Sequence, residues 1–531
     1  MFAERQKTIM PGLIVFSLLS FVLCPLSFSQ TMIYLDHSNT LNFDEERIAD
    51  AQILVGNVIF RHEEALMYCD SAYFYEKTNS LDAFGHVRFV QGDTLEGFGD
   101  VLYYDGNTKL ARMRRHVKLI HGRADENPTV LTTDSLNYDR ANGVAYYYTG
   151  GTIRDSLNTL TSVKGQYRPN TKKAVFSRNV RLVNDKFTLT SDTMLYNTET
   201  KVTDLVSPTT IVYEEETNIY TSRGTYNTQT EQSTLLDRSR IIHTDGKTMT
   251  GDSIYYDKHI GYGQVTGHME FRDSTQQITL YGNYGEMWET DGHGFATDSA
   301  MMVDWSDREH YTFIHADTLF TENLNYTDSD KVDSTFRRVR AYYGVRVYRD
   351  DMQMVCDSLV YMGCDSTIHL YTDPICWSEN QQMSADSMVV YIVNGAVDHA
   401  KGYVNALCVM EDTVSALYNQ MSGKELTAIM DNGEMKRVDV SGNALTIYYP
   451  KESDGDLVGL NTTESSFINV FLEQQKIHHM LFTKETTGIL YPMDQIPSGA
   501  DRLPQFFWAS ELRPLNPNDI FRIVERQKTK K

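Results

Sequence analysis

Along most of this chain apolar and polar residues alternate with a period of two. Segments opening with Asp-Ser, Asp-Thr or Asp-Val place apolar side chains two and four residues further on. The pairs are Leu102 and Tyr104, Leu136 and Tyr138, Met194 and Tyr196, and Ile254 and Tyr256. Successive residues of a strand point to opposite sides, so each pair shares one face. A second kind of segment, Gly85-His-Val-Arg-Phe89 and Gly267-His-Met-Glu-Phe271, supplies Val87 with Phe89 and Met269 with Phe271. Turn formers such as Asp105-Gly-Asn107 and Asn197-Thr-Glu-Thr200 separate the two kinds. Helical periodicity is absent from these stretches, and the pattern predicts an all-β chain.

The segments recur. Asp-Ser/Thr copies begin at Asp70, Asp134, Asp192, Asp252, Asp357 and Asp386, with Asp100-Val-Leu-Tyr-Tyr as a variant and degenerate copies at Lys164-Gly-Gln-Tyr167 and Arg223-Gly-Thr-Tyr226. The period is about thirty residues, two strands and two turns per repeat. Hairpins with one unbroken apolar face must fold that face inwards, which predicts an elongated stack of antiparallel strand pairs built as a closed solenoid, a sandwich or a bent trough. The expected divisions are a leader over 1–30, repeats over 31–250 and 251–455, and cap strands with an irregular Pro/aromatic tail over 456–531.

Composition narrows the function. With 71 Asp+Glu against 49 Lys+Arg, the net charge of −22 argues against nucleic acid as a partner. Arg5 and Lys7, the apolar run Leu13–Leu23 and the small residues of Ser27-Phe-Ser-Gln30 read as a secretory signal peptide. Cys24 follows Leu23 rather than the small residue that lipid attachment needs. Export places the remaining cysteines in a compartment that permits disulfides. Among Cys69, Cys356, Cys364, Cys376 and Cys408 at most two bridges can form. Burial as small hydrophobes is the equal alternative.

Gly56-Asn-Val-Ile-Phe60, Asp70-Ser-Ala-Tyr73 leading to Gly85-His-Val-Arg-Phe89, Asp192-Thr-Met-Leu-Tyr196 and Asp252-Ser-Ile-Tyr-Tyr256 leading to Gly267-His-Met-Glu-Phe271 carry a resemblance. On a period near thirty they resemble the OstA-like family of lipopolysaccharide-transport proteins, from about residue 35 to about residue 450. That resemblance implies an incompletely closed jellyroll whose interior carries lipid acyl chains while the sugars stay in water. It also implies a periplasmic location, with association at the outer membrane. Implied partners are lipopolysaccharide or another envelope lipid, the outer-membrane translocon and inner-membrane transport components. The lipid-binding face would comprise Leu102, Tyr104, Leu136, Tyr138, Met194, Tyr196, Ile254, Tyr256, Val87, Phe89, Met269 and Phe271.

No G-x-S-x-G elbow, H-E-x-x-H helix, P-loop or dinucleotide fingerprint occurs, so no enzyme and no cofactor are expected. Asp328-Ser-Asp330 and Asp454-Gly-Asp456 do not fit an EF-hand loop. The recurrent aspartates are structural, because an active site needs one constellation and the chain supplies a copy per repeat; a hydrogen bond to backbone at the start of each strand is the expected role. In the last part, Tyr491-Pro, Phe506-Phe-Trp508, Pro514 and Pro517 suggest a terminal cap or a segment docking an outer-membrane partner. The alternative to a lipid-binding scaffold is an exported structural or carbohydrate-binding β-solenoid without lipid transport.

Overall fold

The computed structural model describes residues 31–123, 127–290, 292–327, 333–431, 433–452, 455–474 and 476–524. The signal segment, Cys24, Asp328 to Asp330, Asp454 and the basic tail from Arg526 lie outside the described residues.

The alternating segments are strands that pair in chain order. Gln52–His62 pairs with Ala65–Tyr75, then follow Ser80–Gln91, Leu95–Asp105, Leu110–His121 and Thr129–Asp139, each antiparallel to the last. The ladder joins 38 strands into one sheet. Twenty of these strands share rungs in pairs, so at ~4.8 Å between neighbouring rungs the stack extends on the order of 130 Å. The all-β, elongated stack of antiparallel strands expected from the alternation is the one observed. The expected division at residue 250 marks no structural boundary. It falls inside strand Lys247–Asp257, which pairs without interruption on both sides.

Each long strand bends at its middle. Val55 pairs with Ser71 and Val58 with Cys69, so Gly56 and Asn57 together face the single residue Asp70. This is a β-bulge, with an extra residue on one strand that turns its direction. Gly56 and Asn57 have φ of +85° and +46°, Gly85 and His86 +76° and +41°, Gly267 and His268 +78° and +44°. The Gly-Asn/His pair of these repeats is thus the hinge of a bent strand, and Arg115-His116, Arg178-Asn179 and Asp237-Arg238 take the same left-handed conformation in others. The aspartates, expected at strand starts, stand mid-strand opposite these hinges. There Asp70, Asp100 and Asp252 bind the Nδ1 atoms of His86, His116 and His268 at 2.7, 2.8 and 2.6 Å.

The bend folds the sheet over its own apolar face. Inward residues from the two halves of the rungs meet, with Phe60 and Phe74 ring centres 5.4 Å apart, Phe89 and Tyr138 6.0 Å, and Phe187 and Tyr226 5.0 Å. In several rungs the bend is a complete break, and two short strands replace one long strand. Val144–Tyr147 and Gly151–Arg154 are one such pair. The degenerate copies at Lys164 and Arg223 begin the second members of two others, Lys164–Arg168 and Arg223–Asn227.

Strands Gly459–Glu473, Lys476–Thr483 and Thr487–Pro492 end the ladder. The irregular segment after them runs back along the outer face as a strap. Gln420 accepts from Leu503 N and donates to Asp501 O, both at 2.8 Å. Further along, Gln382 accepts from Ala509 N and donates to Phe507 O. Trp377, Val355 and Ile375 pack against Ala509, while Leu407, Val409 and Ile447 pack against Leu503. The aromatic segment expected to cap the chain or meet a partner therefore lies on the chain's own sheet, with Phe506 and Trp508 half-buried and Phe507 exposed.

Candidate functional site

The site is the interior between the two folded halves. All twelve residues expected to line it point inwards, from Leu102, Leu136, Met194 and Ile254 at 0% exposure to Phe271 at 6%. They belong to one apolar cluster that runs from Ile33 to Leu472. The neighbours of opposite parity, Asn137, Leu195 and Tyr255, are half-exposed. The interior is occupied by its own side chains, so it is a packed core rather than an open trough.

Cysteines add to that core. Cys69, Cys356, Cys376 and Cys408 are buried and unbridged, and Cys364 is exposed and also unbridged. Burial pushes the thiols of Cys69 and Cys408 up to about 12, which makes them poor nucleophiles.

The tyrosines do more than fill space. Tyr104, Tyr138, Tyr167, Tyr196, Tyr226 and Tyr256 recur once per repeat, with rings in the core. Most of their hydroxyls reach the side opposite the bulges, where turns from the two ends of the rungs come together. Arg140 donates to Tyr104 at 2.6 Å, and Tyr104 meets Nδ1 of His62 at 2.6 Å. Tyr167 meets Nδ1 of His121 at 2.8 Å. Tyr196 donates to Asp155 at 2.6 Å and accepts from Asn158. Tyr256 donates to Glu289 at 3.0 Å.

Ion pairs continue the same line. Glu63 holds Lys109 and Arg140, Asp155 holds Lys201 at 3.0 Å, and Glu231 holds Lys186 while accepting from Tyr213. A polar seam therefore closes the fold along its open side, with most of these buried tyrosines tethered by their polar ends.

The electrostatics follow from burial and these partners. Burial, then the carboxylates of Asp155 and Glu289, push the Tyr196 and Tyr256 hydroxyls far above their ordinary value, so both remain protonated donors. Burial pushes the Glu231 carboxyl up, but the hydrogen bonds from Lys186 and Tyr213 outweigh it and leave it below its usual range. His62 is lowered by burial and by the Arg140 charge, and His121 by burial and Lys172. Arg337 stands on the inner face of its strand, where burial lowers it against the opposing pull of Asp273 and Asp304.

Sequence reasoning found the inward face but missed this seam. The turn residues Glu63, Arg140, Asp155 and Glu231 lie scores of residues from the partners that make them meaningful. The one available signal was that a tyrosine, rather than a phenylalanine, keeps recurring at the inner end of the strand.

No match to the chain is found among curated proteins. Residues 30–192 match the model of a family described as OstA-like protein, so the chain carries an OstA-like region over its first repeats.

Proposed function

We propose that this chain is a periplasmic scaffold for lipopolysaccharide transport and outer-membrane assembly, holding acyl chains between the two halves of its folded sheet. The observation that supports this reading is the single apolar interior from Ile33 to Leu472, bordered on one side by a seam of non-covalent polar contacts. Parting that seam exchanges its hydrogen bonds and partly buried ion pairs for contacts with water, sugar hydroxyls or head-group charges. The apolar interior then exchanges side-chain contacts for acyl contacts, which conserves burial. Lys109, Arg140, Lys186 and Lys201 stand at the seam, where the phosphates of a lipid head group would emerge. In this reading the chain binds and guides without catalysis, and its partners are the inner-membrane and outer-membrane components between which the lipid passes.

The packed interior favours a second reading, an exported structural or carbohydrate-binding β-solenoid that carries no lipid. Photocrosslinking in living cells separates the two. A photoreactive residue at Tyr138, Tyr196 or Tyr256 should give lipopolysaccharide adducts, while Asn137, Leu195 or Tyr255 should give none. With folding intact, the absence of adducts from the first set would favour the second reading.

A further inference from the structure

The outer face of the half-sheet opposite the interior carries two straight rows of side chains in register. In one row Lys118, Arg181 and Arg240 recur every fourth strand, with threonines and Tyr220 between them. At ~4.8 Å per strand the cations stand about 19 Å apart. The adjacent row places Arg154 and Arg272 among threonine, valine, isoleucine and asparagine.

Neither row contains a carboxylate between Lys118 and Thr250 or between Ile120 and Arg272, on a chain whose net charge is −22. The seam consumes its cations in ion pairs, whereas among the described residues the cations of this face stand without a carboxylate partner. Arg240 lies over the Tyr220 ring at 5.8 Å and Arg272 over Trp305 at 4.6 Å. A groove of about 750 Å³ opens between Lys118 and Arg154, floored by Thr132 and Thr152. Asp155 also lines it, but that carboxylate is 2% exposed and held by Lys201.

We infer that this face binds an anionic oligosaccharide laid across the strands. Arginines spaced about 19 Å apart match charges borne roughly four sugars apart, and threonine hydroxyls between them supply donors and acceptors for sugar hydroxyls. The half-buried valines and isoleucines offer contacts to sugar C–H faces. A peptide adding as a strand is disfavoured, because every strand here is paired on both sides. The strap covers the corresponding face further along the stack, from Arg346 to Gln420, and leaves this stretch bare. The charge on the sugar is a phosphate or a carboxylate, and the two rows lie on the face of the sheet opposite the acyl-chain interior, with Asp155 the one groove residue that also belongs to the seam.

Calorimetry on the full chain tests the inference with four probes: tetragalacturonate, a deacylated phosphorylated lipopolysaccharide core oligosaccharide, neutral maltotetraose, and phosphatidylglycerol vesicles. At least one charged saccharide should bind in a salt-dependent manner, and maltotetraose should not. The variant K118S/R181S/R240S should weaken binding by about tenfold or more. A control removing three cations elsewhere, R47S/R308S/K424S, should keep it within about twofold. Circular dichroism and Tm establish that both variants fold. The inference is overturned if neither charged saccharide binds, if maltotetraose binds as well as they do, if the triple variant binds unchanged, or if the vesicles bind in preference to both saccharides.

Discussion

The carboxylate of Asp70 meets Nδ1 of His86 at 2.7 Å, across the bulge at which one strand bends past its neighbour. Between them stands Gly85, and a β-carbon added there would clash with Oδ2 of Asp70. Gly267 stands in the same relation to Asp252. Asp70 can swing aside, but the φ of +76° at Gly85 cannot be relieved in that way. Gly85→Ala should therefore cost about 1–2 kcal/mol from backbone strain. Asp70→Ala, which removes only an exposed pair, should cost less. Urea unfolding of both variants checks the order, and an equal or reversed ranking would refute it.

Tyr196 and Asp155 form the most enclosed contact of the seam. Tyr196→Phe leaves Asp155, 2% exposed, with Lys201 and without its hydroxyl donor. The loss should be about 1–3 kcal/mol by the cost of a missing bond to a buried charged group. Tyr196→Asp places a second carboxylate beside the first and should cost several kcal/mol more, on the order of 3–5. If lipid transport is the function, Tyr196→Phe should retain it and Tyr196→Asp should lose it. Urea midpoints and surface lipopolysaccharide levels report the two effects separately.

His86 at its bulge and the seam pair His62 and His121 respond oppositely to pH. His62 and His121 lie below the ordinary value of 6.5 in the folded chain. The unfolded chain then takes up protons first as pH falls below that value, so stability is full above it and declines beneath it. His86 is raised by its hydrogen bond with Asp70, so its contribution is present at low pH and is lost as pH rises through its raised value. Solvent screens that exposed pair, and the seam histidines should dominate. Between about pH 7.5 and about pH 5.5 the urea midpoint should fall, and it should fall less in H62Q/H121Q. An identical fall in the variant would assign the effect to other groups.

Gln382 clamps the strap. It is 1% exposed, accepts from Trp377 Nε1 at 3.1 Å and from Ala509 N at 2.8 Å, and donates to Phe507 O at 3.0 Å. Gln382→Ala leaves these groups without it, at about 1–3 kcal/mol for stranded buried partners. Limited proteolysis should then cut first within 493–524, before the strands are attacked. Dye binding to the apolar patch at Val355, Ile375 and Trp377 should rise together with that cleavage.

Alternation was enough to place Leu136 and Tyr138 inside and Asn137 outside, because strand geometry leaves a side chain only two directions. The same local logic located turns at Asp105 and Asn197. The bulges could be read as motifs but not as hinges. The left-handed turn at Gly85 and His86 acquires its meaning from the single residue that faces it on the neighbouring strand.

What the sequence determined by itself is therefore the strand ladder, the buried face and the period, each a property of residues within about ten positions of one another. Tertiary structure alone decided that the interior is packed, that tyrosine hydroxyls tie turn to turn along a seam, and that the last segment folds back over the sheet. Those outcomes depend on pairs such as Glu63 with Arg140 or Gln382 with Ala509, separated by 77 and 127 residues. No local pattern encodes such a pair, because the bend of every intervening strand sets which turns meet.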